Sequence, residues 1–148
     1  VPLSIVKKRW FKGENAVRAW FFYAWNALMS RYDADVMVKG QTFHLTEGET
    51  ICTRSYLSES LGIKDSMAKS STDSLKRTGA IAVKQEVISK DINNAKNSVS
   101  RVAVNGIPTP NEPYVKMYFP VDVADFWSTP YLAQLYTYMV CNARHENT

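Results

Sequence analysis

Apolar residues recur along this chain at two periods, and the switches between them predict the order of its elements. Val17, Trp20, Phe21, Ala24, Trp25, Leu28 and Met29 fall at helical spacing within residues 15–32, with Asn15 placed to cap the N-terminus. Their aromatic weight points to a core face, since rings that stack on bases usually lie on strands or loops among basic residues. Short extended pieces follow at 36–38 and 42–45, broken by Gly40, Gly48 and the polar cluster 46–49; a small hairpin or an irregular loop fits them. Helical spacing returns at Thr53 and stops at Gly62, and a second helix runs from about Lys64 to Thr78 and stops at Gly79.

Beyond Gly79 the period changes to two. Residues 80–88 alternate through Ile81, Val83 and Val87 as a strand, 89–98 are polar, and 99–104 read as a return strand. Three prolines make 107–113 irregular, and 114–119 form a further strand. A short helix near 121–127 precedes a last helix over about 130–144, which has Pro130 in its first turn and gathers Leu132, Leu135, Tyr136 and Met139 on one face. There is neither an internal repeat nor a low-complexity tract, and 148 residues suit one domain, 1–148.

Residues 55–81 carry the most information. A helix-turn-helix needs a supporting helix, a tight turn, and a second helix that is apolar inside and polar outside. Leu57, Leu61, Ile63, Met67, Ala68, Ser71 and Leu75 supply the inward positions, Gly62 the turn, and Gly79 the stop before the strand that begins at Ile81. The charge agrees with a polyanion partner more in its distribution than in its total. The net charge is only +4, but residues 1–31 hold six bases against one acid and residues 64–101 eight against four. The two remaining stretches are net acidic. A phosphate backbone would be served by such segregation, and a solvated basic face would look the same.

Leu57, Leu61, Gly62, Ile63, Leu75, Gly79 and Ile81 stand in register with the bacterial winged-helix pattern of Leu-Ala-x-x-Leu-Gly-Ile, a helix of some fifteen residues and a closing Gly-x-Ile, which this segment resembles. Ala68, Ser70 and Thr72 depart from it, standing where Val, Arg and Leu are usual. Upstream, RAWFFYAWNAL and GQTFHLTEGETICTRSYLSESLGI resemble the N-terminal domain of phage and plasmid replication initiators and replisome organisers, with Gly48, Thr53 or Ser55, and Leu57 leading into the helix-turn-helix. The likeness covers residues 18–85. It implies an α+β winged helix-turn-helix fold with an N-terminal aromatic helix, a helix-turn-helix over 53–78 and a wing that starts at 80; beyond the likeness, the strand and helix spacing extends a long wing hairpin over 80–119 and places C-terminal helices over 121–144. It also implies binding of origin or promoter DNA, in replication or transcriptional control, and in some members a replication-protein partner.

On a helix starting at Lys64, the residues facing away from Met67, Ser71 and Leu75 are Lys64, Ser66, Lys69, Ser70, Asp73, Lys76 and Arg77. The first two turns would reach base edges, while Lys76 and Arg77 would touch phosphate. Lys84, Lys90, Lys96 and Arg101 lie along the expected wing, where they suit the DNA backbone or equally a surface loop with ordinary lysines. Lys7, Lys8 and Arg9, in KKRWFK, form either an arm for phosphates or an amphipathic lead with Trp10 and Phe11 packed on the core.

Other functions find little in the chain. His44 and His145 lie far apart, the pairs Asp33 with Asp35 and Asp122 with Asp125 read as loop or helix-start residues, and no phosphate-binding glycine loop or nucleophile elbow occurs. No enzyme and no cofactor is expected. Cys52 and Cys141 are isolated, as free thiols in a reducing cytoplasm would be. The longest apolar run, 19–29, is short of the roughly 18 residues of a membrane span and is broken by Asn26. No signal peptide follows Val1, and a chain opening on Val is a processed form or a piece of a longer protein. The rival to duplex DNA binding is a protein-interaction module, with Tyr131, Leu135, Tyr136, Tyr138 and Met139 as a homodimer seam along the last helix.

Overall fold

A computed structural model describes residues 1–29, 34–38, 40–87, 98–105 and 122–146. The chain is mixed α+β. Two short 3-10 helices, Leu3–Lys7 and Arg9–Lys12, lead into α1 (Glu14–Met29). A hairpin of β1 (Ala34–Val38) and β2 (Gln41–Leu45) comes next, followed by β3 (Glu49–Cys52), α2 (Arg54–Leu61) and α3 (Asp65–Arg77). The chain continues through β4 (Ile81–Val87), β5 (Ser98–Val104), α4 (Val123–Ser128) and α5 (Leu132–Glu146). The polar loop 89–97 with Lys90 and Lys96, the proline segment 107–113 and the expected strand 114–119 lie outside the described residues.

Helix α1 is the axis of the core. Ala16, Val17, Arg18, Ala19, Trp20, Phe21, Phe22, Tyr23 and Ala24 are all buried, so the helix is enclosed on every side rather than half-exposed. Trp10 stacks on Trp20 at 5.5 Å, and Phe21 and Phe22 meet Phe126 and Trp127 of α4 edge to face at 5.1 and 5.6 Å. The helix starts one residue before the expected cap: Val17 N–H donates to Gly13, and Asn15 lies in the first turn, accepting from Arg18. Trp10 and Phe11 are buried, so the segment 7–12 is packed on the core.

Arg18 is buried with its charge. Its guanidinium donates to the main-chain carbonyls of Leu61, Trp127 (2.6 Å) and Ser128 (2.9 Å), and pairs with Glu14 at 3.5 Å. These carbonyls end α2 and α4, where helices leave acceptors unsatisfied and carry a partial negative charge. One side chain therefore fastens three helices together.

Strands β3, β5 and β4 form an antiparallel sheet with β5 in the middle. One face, with Ile81, Val83, Val102 and Val104, joins the helical core; on the other, Val99 packs with Phe43 of the β1–β2 hairpin in a second small cluster. Helix α2 opens on Thr53, whose hydroxyl accepts from Tyr56 N–H at 3.1 Å. It closes on Gly62, whose φ of +68 suits a residue without a Cβ. Ser58 donates to Asp65 at 2.6 Å across the turn, holding the start of α3 where Lys64 offers no side-chain cap. At the far end of α3, Ala80 N–H returns to the Leu75 carbonyl at 2.9 Å and Gly79 takes φ +79.

Helix α5 differs from its expected orientation. Ala133, Thr137 and Cys141 are its buried face, while Leu135 and Met139 are exposed along with Tyr131 and Tyr138. Small side chains line the buried face of α5, Leu132 and Tyr136 pack half-buried against the core with Tyr136 edge to face on Phe126 at 5.8 Å, and of the expected face only Leu135 and Met139 turn outward. Among the described residues no helix is long and apolar enough to cross a membrane.

Candidate nucleic-acid interface

Helix α3 has a narrow inner stripe of Ala68, Ser71 and Leu75, all buried. At about 100° per residue the rest of its circumference is turned outward. Lys64, Ser66, Lys69, Ser70, Asp73, Lys76 and Arg77 are all exposed. Met67, expected inside, is 41% exposed because Ala68 takes the position facing α1 and α2. Thr72, where Leu is usual, is half-buried and shares a hydrogen bond of 3.0 Å with the Tyr23 hydroxyl. A polar side chain fits there because α1 offers it a polar partner.

The outer face of α3 forms a ridge between two clefts. On one flank Lys69, Thr72, Asp73 and Lys76 line a cleft of about 240 Å³, whose far wall is Arg54 and Leu57 of α2 with Val83, Gln85 and Ser100 of the sheet. Tyr23 and Cys52 close its floor. On the other flank Ser74, Arg77 and Thr78 line an open cleft of about 600 Å³ with Arg9 and Trp10 of the N-terminal segment. Arg54 escapes a sequence reading because it lies on the supporting helix, within a net acidic stretch. Its only signal is its place immediately after the cap Thr53.

The other basic residues are placed differently. In the hairpin register Lys84 stands opposite Arg101, on the sheet face turned away from Gln85 and Ser100 and hence away from the α3 cleft. Arg101 is engaged internally: it donates to Glu86 at 2.7 Å, to the His44 carbonyl at 2.6 Å and to Glu49 at 3.3 Å, tying the sheet to the β1–β2 hairpin. Its partner Glu49 is held below the ordinary carboxylate value; burial works to raise it, but hydrogen bonds from Thr46 and the neighbouring Arg101 prevail. Lys7 and Lys8 are exposed on the N-terminal segment.

No family model, curated protein or solved structure matches this chain.

The chemistry of the site is therefore that of its own side chains. Burial pushes the Cys52 thiol from an ordinary 9.0 up to about 12, against a lowering hydrogen bond with Tyr23, so it is no nucleophile at neutral pH. Burial also raises the Tyr23 phenol. His44 meets Asp35 at 2.9 Å on the exposed hairpin. Among the described residues no group of three His, Cys, Asp or Glu side chains gathers as a metal site. What the surface around α3 offers is cations, hydroxyls and the two carboxylates of Asp65 and Asp73 on one helix.

Proposed function

We propose that this chain is a winged helix-turn-helix domain that binds duplex DNA, with α3 as its recognition helix. The order of elements supports the fold: α1, β3, α2, α3 and the β4–β5 hairpin follow one another, and β5 lies between β3 and β4. The observation that carries the function is the exposed face of α3, where Ser66, Ser70 and Asp73 stand between basic residues that line a cleft on each flank. Lysine and arginine supply affinity through phosphate, and the hydroxyls and carboxylate supply contacts to base edges. Replication initiation or transcriptional control of a bacterial or mobile element is the setting the sequence resemblance favours.

The test is duplex binding by fluorescence anisotropy across a salt series. Lys69→Ala and Arg77→Ala should each weaken binding and flatten the plot of log K against log salt by about 1. Undiminished affinity in both variants would remove α3 from the interface. Selection from a random duplex library would then give the sequence read.

One observation favours a second reading, self-association through α5. Tyr131, Leu135, Tyr138 and Met139 are 64, 59, 55 and 58% exposed, large apolar side chains on a helix end with no charged residue between 131 and 143. Sedimentation equilibrium separates the readings: a dimer that Leu135→Glu dissociates supports a seam on α5, and a monomer at all concentrations rules it out.

A further inference from the structure

We propose that the 240 Å³ cleft between α3, α2 and the sheet binds a small acidic amino acid, its carboxylates taken by Arg54, Lys69 and Lys76 and its ammonium by Asp73. The inference goes beyond the DNA-binding reading and stands without it, because it concerns a free ligand and this cleft alone.

Four charged side chains line the cleft. Lys69, Asp73 and Lys76 share one wall: at 100° per residue they fall within about 60° of one another around α3, with the carboxylate between the two ammonium groups along the axis. Arg54 belongs to the opposite wall, beside Leu57 of α2. Spacings of four and three residues put Asp73 within reach of both lysines. Among the described residues, however, none of the four charges is in an ion pair. Both signs are therefore available to a ligand.

Beneath these charges the cleft is closed and firm. Tyr23, Cys52 and Leu57 are buried, and half-buried Thr72 is bonded to the Tyr23 hydroxyl at 3.0 Å. On the sheet side Gln85 donates to Ser100 at 3.0 Å across two paired strands. The walls are thus held by the fold itself, the pre-organisation that small-molecule sites need.

The lining selects the ligand by exclusion. At 240 Å³ the cleft is smaller than the roughly 300–1,000 Å³ of sites for drug-sized molecules, so its occupant is small. An apolar molecule would desolvate four charges and satisfy none of them. A phosphate or a plain diacid would satisfy the cations but leave Asp73 facing an anion, and a plain amine would meet one carboxylate among three cations. A molecule with two acid groups and one ammonium matches the lining in sign and in excess. The planar guanidinium of Arg54 suits one carboxylate as a two-bonded fork, and the lysines suit the other as point charges. Leu57 and Val83 offer apolar surface to the carbon chain between them. Aspartate and glutamate have this composition.

The experiment is isothermal titration calorimetry on the full chain. The probes are glutamate and aspartate, the diacids that lack their amines, glutarate and succinate, and inorganic phosphate. The wild type should bind one of the amino acids saturably and at least about tenfold tighter than its diacid or phosphate, the worth of a charge-assisted hydrogen bond. Asp73→Asn should close that gap, and Arg54→Gln should weaken every acidic probe by about tenfold or more. Lys84→Gln, on the sheet face turned away from the cleft, should change nothing. Equal binding of amino acid and diacid by the wild type overturns the proposal in favour of a simple anion site. A preference that persists in Asp73→Asn also overturns it, since the ammonium is then recognised elsewhere. So does the absence of saturable binding by any probe. Each of these outcomes leaves duplex binding to its own test, and the wild-type discrimination is decisive whether or not a variant folds.

Discussion

Arg18 belongs by sequence to the most basic stretch of the chain, and by structure to its interior. Replacing it with Ala leaves helix-end carbonyls buried without donors, and the loss expected is about 3–5 kcal/mol of unfolding free energy in urea titration. Lys in its place should recover only part of this, because one ammonium cannot span carbonyls from two helices in the plane a guanidinium offers. Cys52 and Tyr23 set a second dependence, on pH. The unfolded chain releases the Cys52 proton near 9.0 and the folded chain near 12, so between those values the unfolded state binds fewer protons and stability falls as pH rises. Tyr23 acts in the same direction. Urea midpoints measured on either side of pH 9 should decline on the alkaline side, and Cys52→Ala should reduce the decline. Neither role could be read from the sequence, because each depends on surroundings assembled from far along the chain: Leu61, Trp127 and Ser128 for Arg18, and for Cys52 and Tyr23 the burial that raises both.

At the scale of elements, what a local signal governs was legible. The limits of α2 and α3 follow from Thr53, Gly62 and Gly79, each of which acts on its own backbone. A Cβ at Gly62 or Gly79 would meet nothing within 4 Å, so Ala at either site should cost only the left-handed backbone penalty, about 1–2 kcal/mol, measurable as a shift in denaturation midpoint. The orientation of α5 was not legible, because that helix is apolar on two sides and periodicity cannot choose between them. Its buried side includes Thr137, whose hydroxyl has no hydrogen-bond partner among the described residues. Thr137→Val keeps the shape and removes a desolvated hydroxyl, and a gain of about 1 kcal/mol is expected.

At the scale of the whole molecule, the described basic residues divide into those that hold the fold and those that face outward, a division that net charge conceals. Arg18 and Arg101 are of the first kind. Arg101→Ala should lower stability, since Glu86 and Glu49 lose their cation, while leaving the salt dependence of duplex binding unchanged. Arg9, Arg54, Lys69, Lys76 and Arg77 are of the second kind, and their convergence on α3 joins residues from the N-terminal segment, α2 and α3 that no local pattern connects. The stops at both ends of α3 also set how much sequence it can address. Thirteen residues at 1.5 Å each give a rod of about 20 Å, which lies along roughly six base steps of 3.4 Å. Six positions distinguish at most on the order of 10³ to 10⁴ sequences, against 10⁶ or more competing sites in a genome. On the proposed DNA-binding reading, a single α3 would specify a word rather than an address, and occupancy of a unique locus would require that word to be repeated there, or read by more than one copy of the chain.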